Sequence, residues 1–188
     1  VIVPYLGQNS DISAVPNAVM LDDFISDFHG REVPFKRLPF DHPLYVMFSS
    51  WTTGVPKCIE HRAGGVLLQH LKELMLLNDV KMNDRVLFYT STNWMVWNVH
   101  VSFLACNAAI LIYDGSPFHP NPSALWDFIQ DAGATHFGTS AKYIDALRQQ
   151  DIRPAETHDL SALRFILTSG STLVEESFDH VYAHVKQD

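Results

Sequence analysis

A chain of 188 residues, 47% hydrophobic and 18% charged, is long enough for one domain core or two small lobes and too apolar to be disordered. Its formal net charge of −8 excludes a non-specific grip on nucleic acid, which needs a basic face, while leaving room for a compact site for a small anion. No apolar run reaches the roughly 20 residues that span a bilayer, so no membrane partner is expected.

Residues 1–43 are rich in Pro, Asp and Phe and read as an irregular lead-in segment. One short helix is expected there, over residues 21–28, with Asp22 and Asp23 in its first turn. From Leu44 the periodicity sharpens. Residues 44–48 (LYVMF) form a short apolar run expected to be a buried strand, and residues 58–61 suit a second strand beyond a polar loop. Val66, Leu67, Leu68, Leu71, Leu74, Met75 and Leu77 repeat at helical spacing, residues 82–84 are a turn, and residues 85–90 (RVLFYT) a strand. Residues 93–106 are apolar nearly all round, which predicts a deeply buried helix. Residues 109–113 (AILIY) are a core strand ended by Asp114 and Gly115. Ser123 is placed to cap a helix through Asp131, residues 135–138 are a strand, and Thr139 or Ser140 caps a helix over residues 141–150. A strand over residues 163–167 and a helix over 174–186 follow. Strands alternating with helices predict an α/β fold with a mostly parallel sheet flanked by helices.

Two cysteines, Cys58 and Cys106, make no disulfide framework and fit reduced thiols in the cytoplasm. The histidines and cysteines suggest no metal site. The chain does not begin with Met, and it stops directly after a helical pattern, so both ends read as cut.

The most informative segment runs from Ser49 to Lys57. Hydroxyls and backbone N–H groups donate to phosphate oxygens, glycine lets the backbone come close, and lysine brings a point charge. On composition alone a plain polar surface loop fits as well. The segment is not the P-loop of nucleotide hydrolases, because Pro56 separates the glycine side from Lys57 and Cys58 follows the lysine.

The order Ser-Ser-x-Thr-Thr-Gly-x-Pro-Lys resembles the phosphate-binding loop of the adenylate-forming superfamily. The flanks resemble the acetoacetyl-CoA synthetases within it. They are LPFDHPL from Leu38, AGG from Ala63 with LLQHLKE from Leu67, WMVWN from Trp94, YDGSPF from Tyr113, FGTSAKY from Phe137 and ETHDL from Glu156. The likeness covers essentially the whole chain in one order.

The resemblance implies part of the N-terminal domain of an adenylate-forming enzyme. Residues 1–43 are then a lead-in and 44–188 part of the AMP-binding domain, with the family's C-terminal domain absent. It implies a cytoplasmic ligase in which the carboxylate of acetoacetate attacks the α-phosphate of ATP, giving an acyl-adenylate and pyrophosphate. The thiol of CoA then displaces AMP. Ser49, Ser50, Thr52, Thr53, Gly54 and Lys57 would hold the β- and γ-phosphates, bridged by Mg2+. Gly170, Ser171 and Thr172 would lie beside the adenine, with Thr172 replacing the family's proline. Met95, Val96 and Ser169 would line the acyl pocket, although Trp94, Met95 and Trp97 read equally well as core packing. Ser140 would lie near the thiol arm of CoA, or simply cap its helix. No oligomeric state is implied.

The chain departs from the family at Trp51, where the family has glycine. A ring there strains the turn by roughly 1–3 kcal/mol if only glycine tolerates the dihedrals, or fills the phosphate site. The tryptophan either impairs the loop or is a one-base change or sequencing error. No match to the family's ribose-binding acid or catalytic lysine follows Thr172. No catalytic residue is therefore assigned, and the isolated chain is expected to be inactive. The alternatives are a nucleotide-binding remnant without catalysis and a non-enzymatic α/β interaction domain.

Overall fold

The computed structural model describes residues 1–5, 11–28, 30, 32–48 and 54–187. They divide into two units, residues 1–38 and 39–188. In the first, Ile2 bridges Met20 in parallel, and the Leu21 N–H donates to the Ile2 carbonyl at 2.9 Å. The expected short helix is present as α1 (Leu21–Ile25), which tightens into a 3-10 turn at Ser26–Phe28.

The second unit opens with an antiparallel hairpin, β1 (Pro43–Phe48) and β2 (Cys58–Arg62), in register from Tyr45↔His61 to Phe48↔Cys58. The strand expected at residues 44–48 exists but is not buried. Leu44, Val46 and Phe48 are exposed, Phe48 by 68%. The hairpin is a two-stranded ribbon outside the main sheet, and of its residues Tyr45, Met47 and His61 are half-buried.

The main sheet is parallel throughout. Its strands are β3 (Arg85–Phe88), β4 (Ala109–Leu111), β5 (His136–Ser140) and β6 (Phe165–Ser169), in the order β4-β3-β5-β6. Neighbouring residues Val86 and Leu87 are both 0% exposed and point to opposite faces, so β3 is covered on both sides. On one face Leu87 and Phe137 pack with Leu125, Trp126 and Ile129 of α4 (Ala124–Ala132) and with Tyr143, Ile144 and Leu147 of α5 (Ala141–Gln149). On the other, Val86 packs with Leu74, Val80 and Phe103. Leu74 belongs to a π turn, Glu73–Leu77, that continues α2 (Ala63–Lys72). Phe103 begins a 3-10 turn, Phe103–Cys106, that continues α3 (Met95–Ser102). Each such apolar side chain withdrawn from water contributes about 1.5–3 kcal/mol.

Three local expectations are corrected. The helix at residues 93–106 buries one face only. His100 and Phe103 are inside, whereas Trp94 is 63% and Met95 56% exposed, because α3 lies on the sheet with nothing over its outer side among the described residues. Ser123 caps α4 without its hydroxyl: its carbonyl accepts from Trp126 and Asp127, and its N–H donates to Asn121 Oδ1 at 2.7 Å. A short helix, α6 (Pro154–Thr157), was not expected; Pro154 at its start supplies the preset φ. The last helix is α7 (Glu175–His184).

The amino ends of β3, β5 and β6 are tied by a polar cluster. Arg164 donates to Asp84 and to the Asp79 carbonyl, and Asp84 also accepts the Lys81 N–H at 2.6 Å. Burial alone would raise the Asp84 carboxyl, but the Arg164 and Lys81 hydrogen bonds outweigh it and hold the group below its ordinary value. Burial lowers His136, whose ring meets Asn78 O at 3.0 Å, so the neighbouring Asp84 faces a neutral imidazole. Among the described residues no helix is long and apolar enough to cross a membrane.

Candidate functional site

The chain leaves β3 for β4 on one side and then crosses to β5 on the other. The direction of winding therefore reverses between β3 and β5. In open parallel sheets the carboxyl ends of the strands splay apart at such a point and leave a crevice. Here a cavity of about 840 Å³ opens at that place. It is walled by residues 88–92 after β3, 112–115 after β4, Thr139, Ser140 and Lys142 around the start of α5, and 169–171 after β6. Trp94, Val96 and Trp97 close it from α3.

Two tyrosines shape the wall. Tyr89 Oη donates to the Gly115 carbonyl at 3.0 Å, and Tyr113 Oη to the Ser116 carbonyl at 3.2 Å, which pins the turn carrying Asp114. Burial, and then the neighbouring Tyr113, push the Tyr89 phenol above its ordinary range, so it stays a donor at neutral pH. Ser140 Oγ accepts the Tyr143 N–H at 3.2 Å, the capping bond that starts α5. Gly170 has φ +88° and Gly54 φ +131°, conformations an L side chain rarely adopts.

Of the residues singled out in the sequence, Val96, Ser140, Ser169, Gly170 and Ser171 line this one cavity. Met95 and Thr172 are exposed outside its lining. Gly54 and Lys57 lie on the hairpin arm that leads into β2. Ser49, Ser50, Trp51, Thr52 and Thr53 lie outside the described residues. The sequence gives no ligand-binding role to Tyr89, Tyr113, Asp114, Thr139 or Lys142, which the strand ends bring together, and of the two candidate caps of α5 it is Ser140, not Thr139, that caps it. Most stand in quoted motifs, and the rule that ligands gather at carboxyl strand ends is the signal that finds them. It also passed over an H-x-x-x-H pair, His180 and His184, whose rings lie 5.0 Å apart. Among the described residues no third His, Cys, Asp or Glu joins them in a metal-holding group.

The family model described as "AMP-binding enzyme" matches residues 6–187. This chain belongs to that family. It is 49% identical over 189 residues to an acetoacetyl-coenzyme A synthetase of Rhizobium meliloti, covering 100% of this chain and 29% of that protein. It is 46% identical over 191 residues to an acetoacetyl-CoA synthetase of Gallus gallus, covering 99% of this chain and 29% of the relative. The solved structure of the acetoacetyl-CoA synthetase from Streptomyces lividans matches with a TM-score of 0.83 at 39% identity. That match covers 97% of this chain and 27% of the other. The chain thus spans less than a third of the length of these relatives. The α/β fold and the family read from the motifs are the ones these comparisons return.

Proposed function

We propose that the whole protein to which these residues belong joins acetoacetate to CoA at the expense of ATP, releasing AMP and pyrophosphate. In this reading residues 44–188 form part of its AMP-binding domain and residues 1–43 a lead-in. The observation that carries the proposal is the cavity at the sheet's switch point, lined by Val96, Ser169, Gly170 and Ser171, in a chain 49% identical to an acetoacetyl-coenzyme A synthetase. An anionic nucleotide fits the donor set. Helices α3 and α5 both begin at the cavity, so their free N–H groups and positive ends face it. Gly170 takes a conformation that brings backbone close to a flat ligand, with Ser171 and Thr172 beside it. Val96 and Ser169, with Met95 at the rim, receive the acyl group, and Ser140 faces the thiol arm of CoA. The segment Ser49, Ser50, Thr52, Thr53, Gly54 and Lys57 takes the β- and γ-phosphates.

Among the described residues Asp114 is the one carboxylate of the cavity lining. Mg2+ would accordingly be held chiefly by the phosphates, whose charge it would neutralise, in keeping with its reluctance to shed water. The proposed compartment is the cytoplasm, where the exposed Cys58 thiol stays reduced.

The test is acetoacetate-dependent exchange of pyrophosphate into ATP by the whole protein. Exchange that needs both acetoacetate and the protein is expected. A protein that binds ATP without exchange would instead be a nucleotide-binding remnant, a reading that Trp51 in the glycine position favours. No ATP binding at all would leave an interaction domain.

A further inference from the structure

The wall of the cavity beyond β4 is a turn held from two sides. Tyr113, Asp114 and Gly115 line the cavity there. Tyr89, just past β3, donates through Oη to the Gly115 carbonyl at 3.0 Å, and Tyr113 Oη donates to the Ser116 carbonyl at 3.2 Å. The Tyr113 ring packs 5.2 Å from the Phe128 ring of α4 and 6.2 Å from the Tyr89 ring, centroid to centroid. It lies so close over the turn that a Cβ at Gly115 would stand 3.2 Å from its Cε1. Asp114 sits between these anchored residues and is itself exposed, within reach of a ligand in the cavity. Strands in a sheet lie about 4.8 Å apart, and β4 stands three places from β6, so this wall is roughly 14 Å from the 169–171 wall across the strand ends.

We infer that Asp114 accepts a hydrogen bond from an amide N–H of the CoA thiol arm, and that Tyr89, acting through the Gly115 carbonyl, is the positioning residue that holds Asp114 in place. The inference rests on the acid:CoA ligase reading above and deepens it. In that reading the 169–171 wall takes the adenine, and Val96 and Ser169 the acyl group. ATP and acetoacetate are both anions, and a carboxylate repels them. The thiol arm of CoA is uncharged, and its amide N–H and hydroxyl groups are donors, which a carboxylate accepts with charge-assisted strength. Of the three substrates it is the one that a wall carrying Asp114 and two aromatic rings suits. Asp114 after β4 and Ser140 at the end of β5 stand two strand places, roughly 10 Å, apart, so an extended arm passes between them. The tyrosine bonds set the turn before the arm arrives, so no ordering of the turn opposes binding.

The test separates the two half-reactions in the whole protein. Pyrophosphate exchange without CoA reads adenylation, and AMP release at varied CoA reads the complete reaction. Asp114→Ala is expected to raise the KM for CoA about tenfold, the scale of one lost hydrogen bond to a charged group, and to leave the KM values of ATP and acetoacetate in exchange within about twofold of wild type. Asp114→Asn keeps an oxygen acceptor and should recover part of the loss. Tyr89→Phe removes the hydroxyl alone; it should raise the KM for CoA by itself and add little in the Asp114→Ala background. A KM for CoA within about twofold of wild type in Asp114→Ala overturns the acceptor and leaves the ligase reading standing. So does an equal rise in the KM of ATP or acetoacetate, which would give the wall to the first half-reaction. Asp114→Asn no better than Asp114→Ala also overturns the acceptor, and effects of Tyr89→Phe and Asp114→Ala that multiply in full overturn the positioning role. A wild type that shows no acetoacetate-dependent exchange overturns the ligase reading and this inference with it.

Discussion

Gly138 of β5 lies opposite Phe88 of β3 in the parallel ladder, and its carbonyl accepts the Tyr89 N–H at 2.8 Å. A Cβ at this glycine would stand 2.5 Å from Cγ and Cε2 of the Phe88 ring, and closer still to Cδ2. Carbon atoms in contact sit about 3.5–4.0 Å apart, so the ring must retreat by roughly 1 Å or more. Because Cγ itself is crowded, a flip about the ring axis does not help; the side chain must turn about its first torsion. The space available is the cavity that Phe88 already lines. Gly138→Ala is therefore expected to lower stability by about 1–3 kcal/mol, the range for an extra methyl in a packed core, and to narrow the site. Urea unfolding of the whole protein measures the first effect and the KM for acetoacetate the second. In a Phe88→Ala background the same methyl should cost almost nothing, so the double-mutant cycle should show a coupling close to the single-mutant cost. A Gly138→Ala protein within about 0.5 kcal/mol of wild type, or an equal cost in both backgrounds, would refute the reasoning.

Three further outcomes are expected. His100 is 1% exposed, with Nε2 at 3.1 Å from the Val86 carbonyl and Nδ1 without a partner among the described residues. Burial lowers its pKa below 6.5 against the smaller opposing pull of that carbonyl. The unfolded chain then takes up a proton near pH 6.5 while the native chain does not, so this contribution is complete above 6.5 and lost as pH falls through the native value. Urea midpoints from pH 8 to 5 should fall, and His100→Phe should flatten part of the slope; His70, His136 and His180, lowered chiefly by burial too, keep the rest. Ser140→Ala should cost about 1 kcal/mol of stability through the lost cap, and Ser140→Gly only a few tenths, whereas a role on the CoA arm would raise the KM for CoA in both. Trp51→Gly should raise the adenylation rate at least about tenfold, read by pyrophosphate exchange, because a glycine frees the backbone to approach phosphate; equal rates would mean that the loop tolerates the ring.

The alternation of strands and helices was legible because apolar runs of three to six residues recur between helical stripes, and every expected main-sheet strand exists. Burial was not legible. An apolar run such as residues 44–48 is the same whether it sits inside a sheet or in a ribbon, and only its pairing with β2 decides. The helix at residues 93–106 misled for a related reason: an all-round apolar surface says that cover is wanted, not that it is present over α3. The site divides the same way. Ser169, Gly170 and Ser171, singled out by their likeness to a family segment, line the cavity. Tyr89 and Lys142 line it too and were not singled out, because their placement depends on β5 lying next to β3, and no local pattern encodes strand order.

The two ends of the parallel sheet also divide the labour of its polar residues. At the amino ends Arg164 donates to Asp84 and Asp79, and the His136 ring meets the Asn78 carbonyl. At the carboxyl ends Lys142, Asp114 and the starts of α3 and α5 line the cavity. Buried polar groups that are paired stabilise and specify the fold, while those left unpaired are tolerated where a ligand supplies the missing partner. Substitution of Asp84 thus removes a buried carboxylate that accepts from Arg164 and from the Lys81 N–H, leaving Arg164 with its Asp79 contacts, and acts through stability. A change that lowers stability and leaves ligand affinity alone belongs with the first end of the sheet, and one that alters ligand affinity at unchanged stability belongs with the second.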